Sequence, residues 1–338
     1  MGFQNVGKAT LDTVSLGKGG IATMDAAGIA SGQAFLVSEL EKRDTLVRTP
    51  LTSFTYGRDL PIRVGGGWDE FISAMSVNYG VSGGSDDLGH APGANGVPMV
   101  QADFSKELYK THVVAAGTRV MWVDMQRGNI TGRNMDSLLR DGLRLAYDKH
   151  LDQNAYVGFA DYGTTGLINN ANVTTTTVST GAGGSTTFKL KTPDEILDDI
   201  NTAILDAWEA SEYDLDAIPN HIIMPYEQYN YLATTKVSAI AEKTILTFLL
   251  ENNVAKQNGS DLFIGATAWC KGAGTGGSNR MAVYCNKERY VAMDELVPLT
   301  RAMTTPNTQD FCYDTAYAAN VSEVEIFYSQ TIAYADGI

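Results

Sequence analysis

Residues 134–158, NMDSLLRDGLRLAYDKHLDQNAYVG, carry a hydrophobic spacing that one long helix satisfies and a strand does not. Met135, Leu139, Leu143, Ala146 and His150 step by three or four, and Leu138, Leu145 and Leu151 broaden the stripe. Asp136 with Arg140, and Arg144 with Asp148, form i,i+4 pairs on the opposite face. About 24 residues at ~1.5 Å each give a rod of roughly 36 Å. The segment after the rod is as constraining. Gly158, Gly163 and Gly166 end the helix within GFADYGTTGLINN, and a run of four threonines comes next. Glycine adopts backbone angles other residues resist, so this stretch reads as a turn that redirects the chain.

A second feature lies upstream. Phe71, Met75, Val77, Tyr79 and Val81 share one parity, while Ile72, Ala74, Ser76 and Asn78 share the other. Val100, Ala102 and Phe104 alternate in the same way, and the run continues through LYKTHVV (108–114). Between the two runs lies GGSDDLGHAPGANGVP (83–98), with five glycines and two prolines. The pattern predicts a very long two-stranded hairpin with an elaborate tip. An isolated hairpin is marginal in water, so its apolar parity needs another surface, either its own body or a neighbouring subunit.

The remainder reads as α+β in mixed order, with no regular βαβ repeat. Residues 1–61 form an arm with little apolar content, in which SGQAFLVSELEKRD (31–44) suits a short helix capped by Ser31. NVTTTTVST and STTFKLK flank GAGG (181–184) as a second hairpin would. TPDE (192–195) is a helix start, with Thr192 as cap, Pro193 in the first turn and Glu195 closing a capping box. Ile196, Ile200, Ile204 and Trp208 then face inward. HIIMP (221–225) suits a buried strand and TILTFLLENN (244–253) a short helix. After Asp261 strands and glycine-rich turns alternate, ending in a long strand over SEVEIFYSQTIAYA (322–335).

The residues offer no active site. Gly272, Gly274 and Gly277 match G-x-G-x-x-G, but a strand-like run (MAVYC, 281–285) comes after it where a dinucleotide site needs a helix. His90, His112, His150 and His221 have no i,i+3 or i,i+4 partner, and none neighbours a cysteine, so no local metal site is drawn. His150, on the apolar stripe, reads as a packed or subunit-facing side chain. No G-x-S-x-G elbow appears. Cys270, Cys285 and Cys312 lack a CxxC pair and suit free thiols in a reducing cytosol. Nine acidic residues and no basic one fall between Asp194 and Asp216, read as a solvated helix face. The net charge of −14 argues against a surface that grips phosphate. No apolar run approaches ~18 residues, and Asp25 interrupts the one signal-like stretch, so a soluble cytosolic product is expected.

The ordered set of an arm, an outsized hairpin, a rod-like helix with its glycine turn, and a strand–helix tail resembles the major capsid proteins of tailed bacteriophages, with the Hong Kong 97 type fold. The resemblance is carried by YVGFADYGTTGLINN (156–170), where Gly163, Gly166, Leu167, Ile168 and Asn169 match the family's spine-helix junction. LPIRVGGGWDEF (60–71), TPDEILDDINTAI (192–204) and PNHIIMPYEQYNYL (219–232) extend it across residues 25–336. It implies an N-terminal arm (1–61), an extended hairpin or E-loop (62–125), a peripheral domain with the spine helix (126–191), an axial domain (192–295), and C-terminal return strands of the peripheral domain (296–338). Leu167 and Ile168 would pin the junction in the core.

On this resemblance, function derives from surface and not from catalysis. The chain is expected to be a structural subunit, no enzyme and without cofactor or metal, that self-assembles through hexamers and pentamers into an icosahedral virion shell around double-stranded DNA. Subunit contacts are expected at Phe71, Met75, Val77, Tyr79, Val81, Leu88, His90, Val100 and Phe104. Interfaces of ~1,200–2,000 Å² make a closed shell cooperative even where each contact is modest. Expected partners are other copies, a portal, a separate scaffolding protein and a decoration protein, with non-specific proximity to DNA and no membrane; assembly belongs in the host bacterial cytoplasm. Residues 79–105 contain no lysine, so the Lys–Asn isopeptide weld of some relatives is not expected from the tip. The nearest alternative is an encapsulin-like nanocompartment shell, whose hairpin is usually more compact. A β-rich enzyme or adhesin with a scattered site is the alternative from another class.

Overall fold

The computed structural model describes residues 50, 52–81, 99–131, 135–238 and 243–338. The helix expected over 31–44 and the hairpin tip over 83–98, with Leu88 and His90, lie outside the described residues. Residues 53–338 cluster as one unit built on two five-stranded sheets.

The first sheet is formed by β1 (Ile62–Val64), β2 (Phe71–Val81), β3 (Val100–Met121), β8 (Val291–Asn307) and β9 (Cys312–Ile326). Their order across the sheet is β1-β8-β9-β3-β2. β3 is one 22-residue strand with two partners. Residues 100–110 pair antiparallel with β2, and residues 111–121 pair antiparallel with β9. The exchange of partner at Lys110/Thr111 is where the hairpin leaves the body. The second sheet is formed by β4 (Thr174–Thr177), β5 (His221–Met224), β6 (Phe263–Ala266), β7 (Arg280–Tyr284) and β10 (Ile332–Asp336). Here the order is β4-β10-β7-β5-β6. The segment 296–338 therefore supplies strands to both sheets.

Helices pack on this frame. α1 (Tyr56–Asp59) is a single turn, α2 (Trp122–Thr131) comes after β3, and α3 (Met135–Tyr156) is the rod read from the sequence over 134–158. Only the C-terminal half of α3 reaches the core, through Tyr147, Leu151, Ala155 and Tyr156; Met135 and Ala146 are exposed. These buried side chains join Leu167, Ile168, Val291, Met293, Val321 and Val324 in one apolar cluster. α4 (Pro193–Ala210) has the expected capping box: Thr192 Oγ1 accepts from Glu195 N, and Glu195 accepts from Thr192 N at 2.8 Å. Its Ile196, Ile200 and Ile204 enter a second cluster with Ile222, Met224, Val283 and Leu249, the last from α6 (Ile245–Glu251). α5 (Tyr226–Thr234) and α7 (Val254–Gln257) flank it.

Four local expectations are corrected. The threonine run does not form a hairpin with 185–191: Thr174–Thr177 pairs parallel with β10, and Phe188–Leu190 is a 3₁₀ turn with Phe188 buried. The free edge of β10 supplies the ladder that the second arm was expected to give. The long strand over 322–335 is broken by a 3₁₀ turn at Ser329–Thr331, because its halves belong to different sheets. Trp208 is half-buried rather than inward; its indole N–H donates to Asp214 O at 3.0 Å, and Ala203 and Ala207 fill the inner face. The acidic run is solvated except for Asp199, which is buried with the ammonium of Lys191 and accepts from Ser179 Oγ at 2.7 Å.

Candidate assembly surface

The hairpin separates its side chains by chemistry. In the β2–β3 register Phe71 faces Lys110, Met75 faces Lys106, Val77 faces Phe104, Tyr79 faces Ala102 and Val81 faces Val100. Directly opposed residues share a face, so the apolar parity of both strands forms one stripe. It is open to solvent: Phe71 is 54% exposed, Met75 73%, Tyr79 76% and Phe104 67%. Leu108, 58% exposed and opposite Ser73, extends the stripe and was missed because its run of large residues masks the alternation. The other face carries Ser76, Asn78, Ser105 and Glu107 above a polar groove of about 580 Å³, whose far wall includes Asn170, Asn172 and Gln330. The body thus receives the polar face and leaves the apolar one unpartnered among the described residues. An exposed stripe of this kind marks an interaction surface.

Hydrogen bonds and ring contacts fix the root of the hairpin. Tyr109 Oη donates to Ile326 O at 2.9 Å and its ring meets Phe327 edge-on. Thr111 Oγ1 donates to Asp69 O at 2.7 Å. The carboxylate of Glu323 accepts from Lys110 N at 2.8 Å and Thr165 N at 3.1 Å, tying the hairpin to the turn after α3. His112 and His150, which the sequence left unpaired, meet here with Nε2 atoms 3.0 Å apart. His112 stacks on Tyr162 and His150 on Phe159. Burial, with the neighbouring His150 second, pulls His112 down to about 4; burial also lowers His150.

The turn itself closes the end of α3. Gly158, at φ +71°, sends its N–H back to Gln153 O and Asn154 O, each at 3.1 Å. Leu167 N and Ile168 N then donate to Ala155 O and Tyr156 O, so the returning chain satisfies carbonyls that a helix end leaves open. Asn169 clips the crossing, accepting from Gly166 N at 2.7 Å and donating to Val157 O at 2.6 Å. A β-carbon at Gly166 would lie 2.3 Å from the Tyr156 carbonyl, so only glycine passes here. Gly163, at φ +64°, ends the 3₁₀ turn Ala160–Tyr162. Leu167 and Ile168 are buried. Their carbonyls accept from Tyr334 Oη and from Arg280 Nη1 at 2.6 Å, and Arg280 is held by Asp336 through two bonds. The junction therefore joins the rod to the second sheet by way of β7 and β10.

Buried charge elsewhere is structural. Burial would raise Asp59, but hydrogen bonds from Arg58, His221 and Tyr156 outweigh it and hold the carboxyl below its usual range. Asp152 on α3 accepts from Thr55 N, Tyr56 N and the indole of Trp269. All three cysteines are buried, and burial pushes Cys285 up to about 11. The Gly272–Gly277 loop leads into β7, a strand, and its Thr275 N is taken by Asp336 at 2.8 Å. Among the described residues no three His, Cys, Asp or Glu side chains converge as a metal site would require.

A two-sheet body with a rod helix, a glycine junction and a projecting two-faced hairpin defines the Hong Kong 97 type of shell-building protein. The sequence matches the model of the major capsid protein family over residues 89–338, and the chain belongs to that family. It is a structural capsid subunit that assembles with other copies of itself. The fold is similar to the capsid of Myoviridae phage XM1, with a TM-score of 0.72 at 14% identity over 95% of this chain and 100% of that one. The capsid of a native GTA particle gives 0.61 at 12% identity, covering 93% and 99%. A virus-like particle from Pyrococcus furiosus gives 0.50 at 14% identity, covering 90% and 97%. No curated protein sequence matches.

Proposed function

We propose that each subunit lays the apolar face of its β2–β3 hairpin on an adjacent copy, closing hexamers and pentamers into an icosahedral phage shell around double-stranded DNA. The observation that carries this reading is the exposed stripe of Phe71, Met75, Val77, Tyr79, Phe104 and Leu108, left uncovered by the described part of its own chain. In the same reading residues 126–191 and 296–338 serve a peripheral domain and 192–295 an axial domain. The role is architectural and without catalysis. The net charge of −14 favours a container over a DNA-gripping surface. A portal, a separate scaffolding protein and a decoration protein are the expected partners, with assembly in the host cytoplasm. The family match favours a virion over an encapsulin-like compartment.

The test is to express the full chain and its Tyr79→Asp and Phe104→Asp variants, with light scattering and negative-stain electron microscopy. The parent should form shells, tubes or capsomer rings. Each variant should remain folded with an unchanged melting temperature yet fail to assemble. Shells from both variants at parental yield would overturn the assignment of this face.

A further inference from the structure

The apolar face is one property of the hairpin; its outer edge is another. β2 is the terminal strand of its sheet, and among the described residues it pairs with β3 alone. We propose that the free edge of β2 is a strand-addition site, completed in the shell by an extended segment of a second copy of this chain. The proposal rests on self-assembly of the capsid family but not on which face of the hairpin is covered.

Proteins normally blunt an exposed edge with proline, charge, bulges or brevity. Among the described residues the other outermost strands, and the part of β8 that β1 leaves free, obey that rule. β1 has three residues, and β4 and β6 have four each. Beyond its pairing with β1, β8 carries Pro298, Arg301 and Pro306 and several register shifts. β2 does none of this: FISAMSVNYGV runs for 11 residues with no proline and no charge, paired with β3 in unbroken register. A strand so made pairs with any suitable chain at high concentration. In a shell of capsid subunits the abundant neighbour is another copy of this chain.

The backbone direction can be assigned. Thr111 N donates to Glu70 O, so residue 70 faces β3. Successive residues alternate, which turns the N–H and C=O of Ile72, Ala74, Ser76 and Asn78 toward β3 and those of Phe71, Ser73, Met75, Val77 and Tyr79 outward. The outward amides belong to the residues whose side chains form the exposed stripe. An added strand would satisfy them while extending the same face.

Residue-resolved hydrogen–deuterium exchange on assembled shells and on dissociated full-length subunits tests this. In subunits the amides of Ser73, Met75, Val77 and Tyr79 should exchange quickly while those of Ala74 and Ser76 are protected. In shells the outward set should slow by roughly tenfold or more. Outward amides that stay fast in intact shells would overturn strand addition, even where the face itself proves buried. Outward amides already protected in isolated subunits would overturn the second-copy assignment and give the edge to residues 1–49 of the same chain. As a second readout, Ser73→Pro removes an outward donor that the hairpin itself does not use. It should fold but give shells that dissociate at lower denaturant than Ser73→Ala; equal stability would contradict the proposal.

Discussion

His112 on β3 and His150 on α3 face each other with their Nε2 atoms 3.0 Å apart, one donating and the other accepting. The contact requires at least one neutral ring, and it sits where the hairpin root crosses the rod helix.

Stability of the dissociated subunit should therefore depend on pH with a defined sign. The unfolded chain takes up a proton at His112 near ~6.5, whereas the folded chain resists it to about 4. The contribution is complete above ~6.5 and is lost as pH falls toward 4. Glu325 opposes it: burial, with Asp294 next, raises its carboxyl to about 7 despite Arg63, so its contribution is present at low pH and lost as pH rises through 7. Urea denaturation across pH 4–8 should show His112→Gln losing stability with rising pH and Glu325→Gln gaining it, each relative to the parent. Parallel profiles for the two variants would refute the pair of assignments.

Gly166 and Gly163 should differ sharply on substitution. A methyl group at Gly166 meets the Tyr156 and Val157 backbone at 2.3–2.4 Å, and neither can move without opening the end of α3. Gly166→Ala should cost about 3 kcal/mol or more. At Gly163 the nearest atom is the far end of the Lys110 side chain, whose Nζ donates to Gly163 O at 3.3 Å and can turn aside, leaving mainly the positive φ; Gly163→Ala should cost about 1 kcal/mol. Chemical denaturation of both variants decides it.

Asp199→Asn should strip the buried Lys191 ammonium of its counter-charge and cost about 3–5 kcal/mol. The double variant Lys191→Met, Asp199→Leu should recover most of that loss. A double variant as unstable as the single one would show that the pair stabilises the fold beyond cancelling its own burial.

Asn169→Ala removes two hydrogen bonds across the junction and should cost about 1–3 kcal/mol. Asn169→Asp keeps the acceptor for Gly166 N but loses the donor to Val157 O, and its melting temperature should fall between Asn169→Ala and the parent.

The elements legible in the sequence were those whose signal is local. The 3–4 spacing of Leu139, Leu143 and Leu151 announces α3, Thr192 and Glu195 mark the start of α4, and the parity of Phe71–Val81 gives β2 and its open face. What stayed hidden depends on distant partners. Thr174–Thr177 has strand composition, but only the arrival of β10 from 158 residues away decides its neighbour. Asp199 looks like another surface acid until Lys191 is folded beneath it. His112 and His150 are 38 residues apart and carry no mutual spacing signal. Arg280, which secures the junction through Ile168 O and Asp336, lies in a strand whose burial gives no hint of an arginine's role.

The single strand shared by the hairpin and the body has a mechanical consequence. Residues 100–110 and 111–121 are one uninterrupted backbone, so a load on the projecting half passes through covalent bonds into the β9 ladder without crossing an apolar core. Pulling along that backbone loads the β3–β9 ladder in shear, with its rungs strained together, while a sideways pull peels them one at a time. The hairpin should then act as a stiff tether when drawn along its length and a compliant one when lifted, a directional response set by where β3 changes partner.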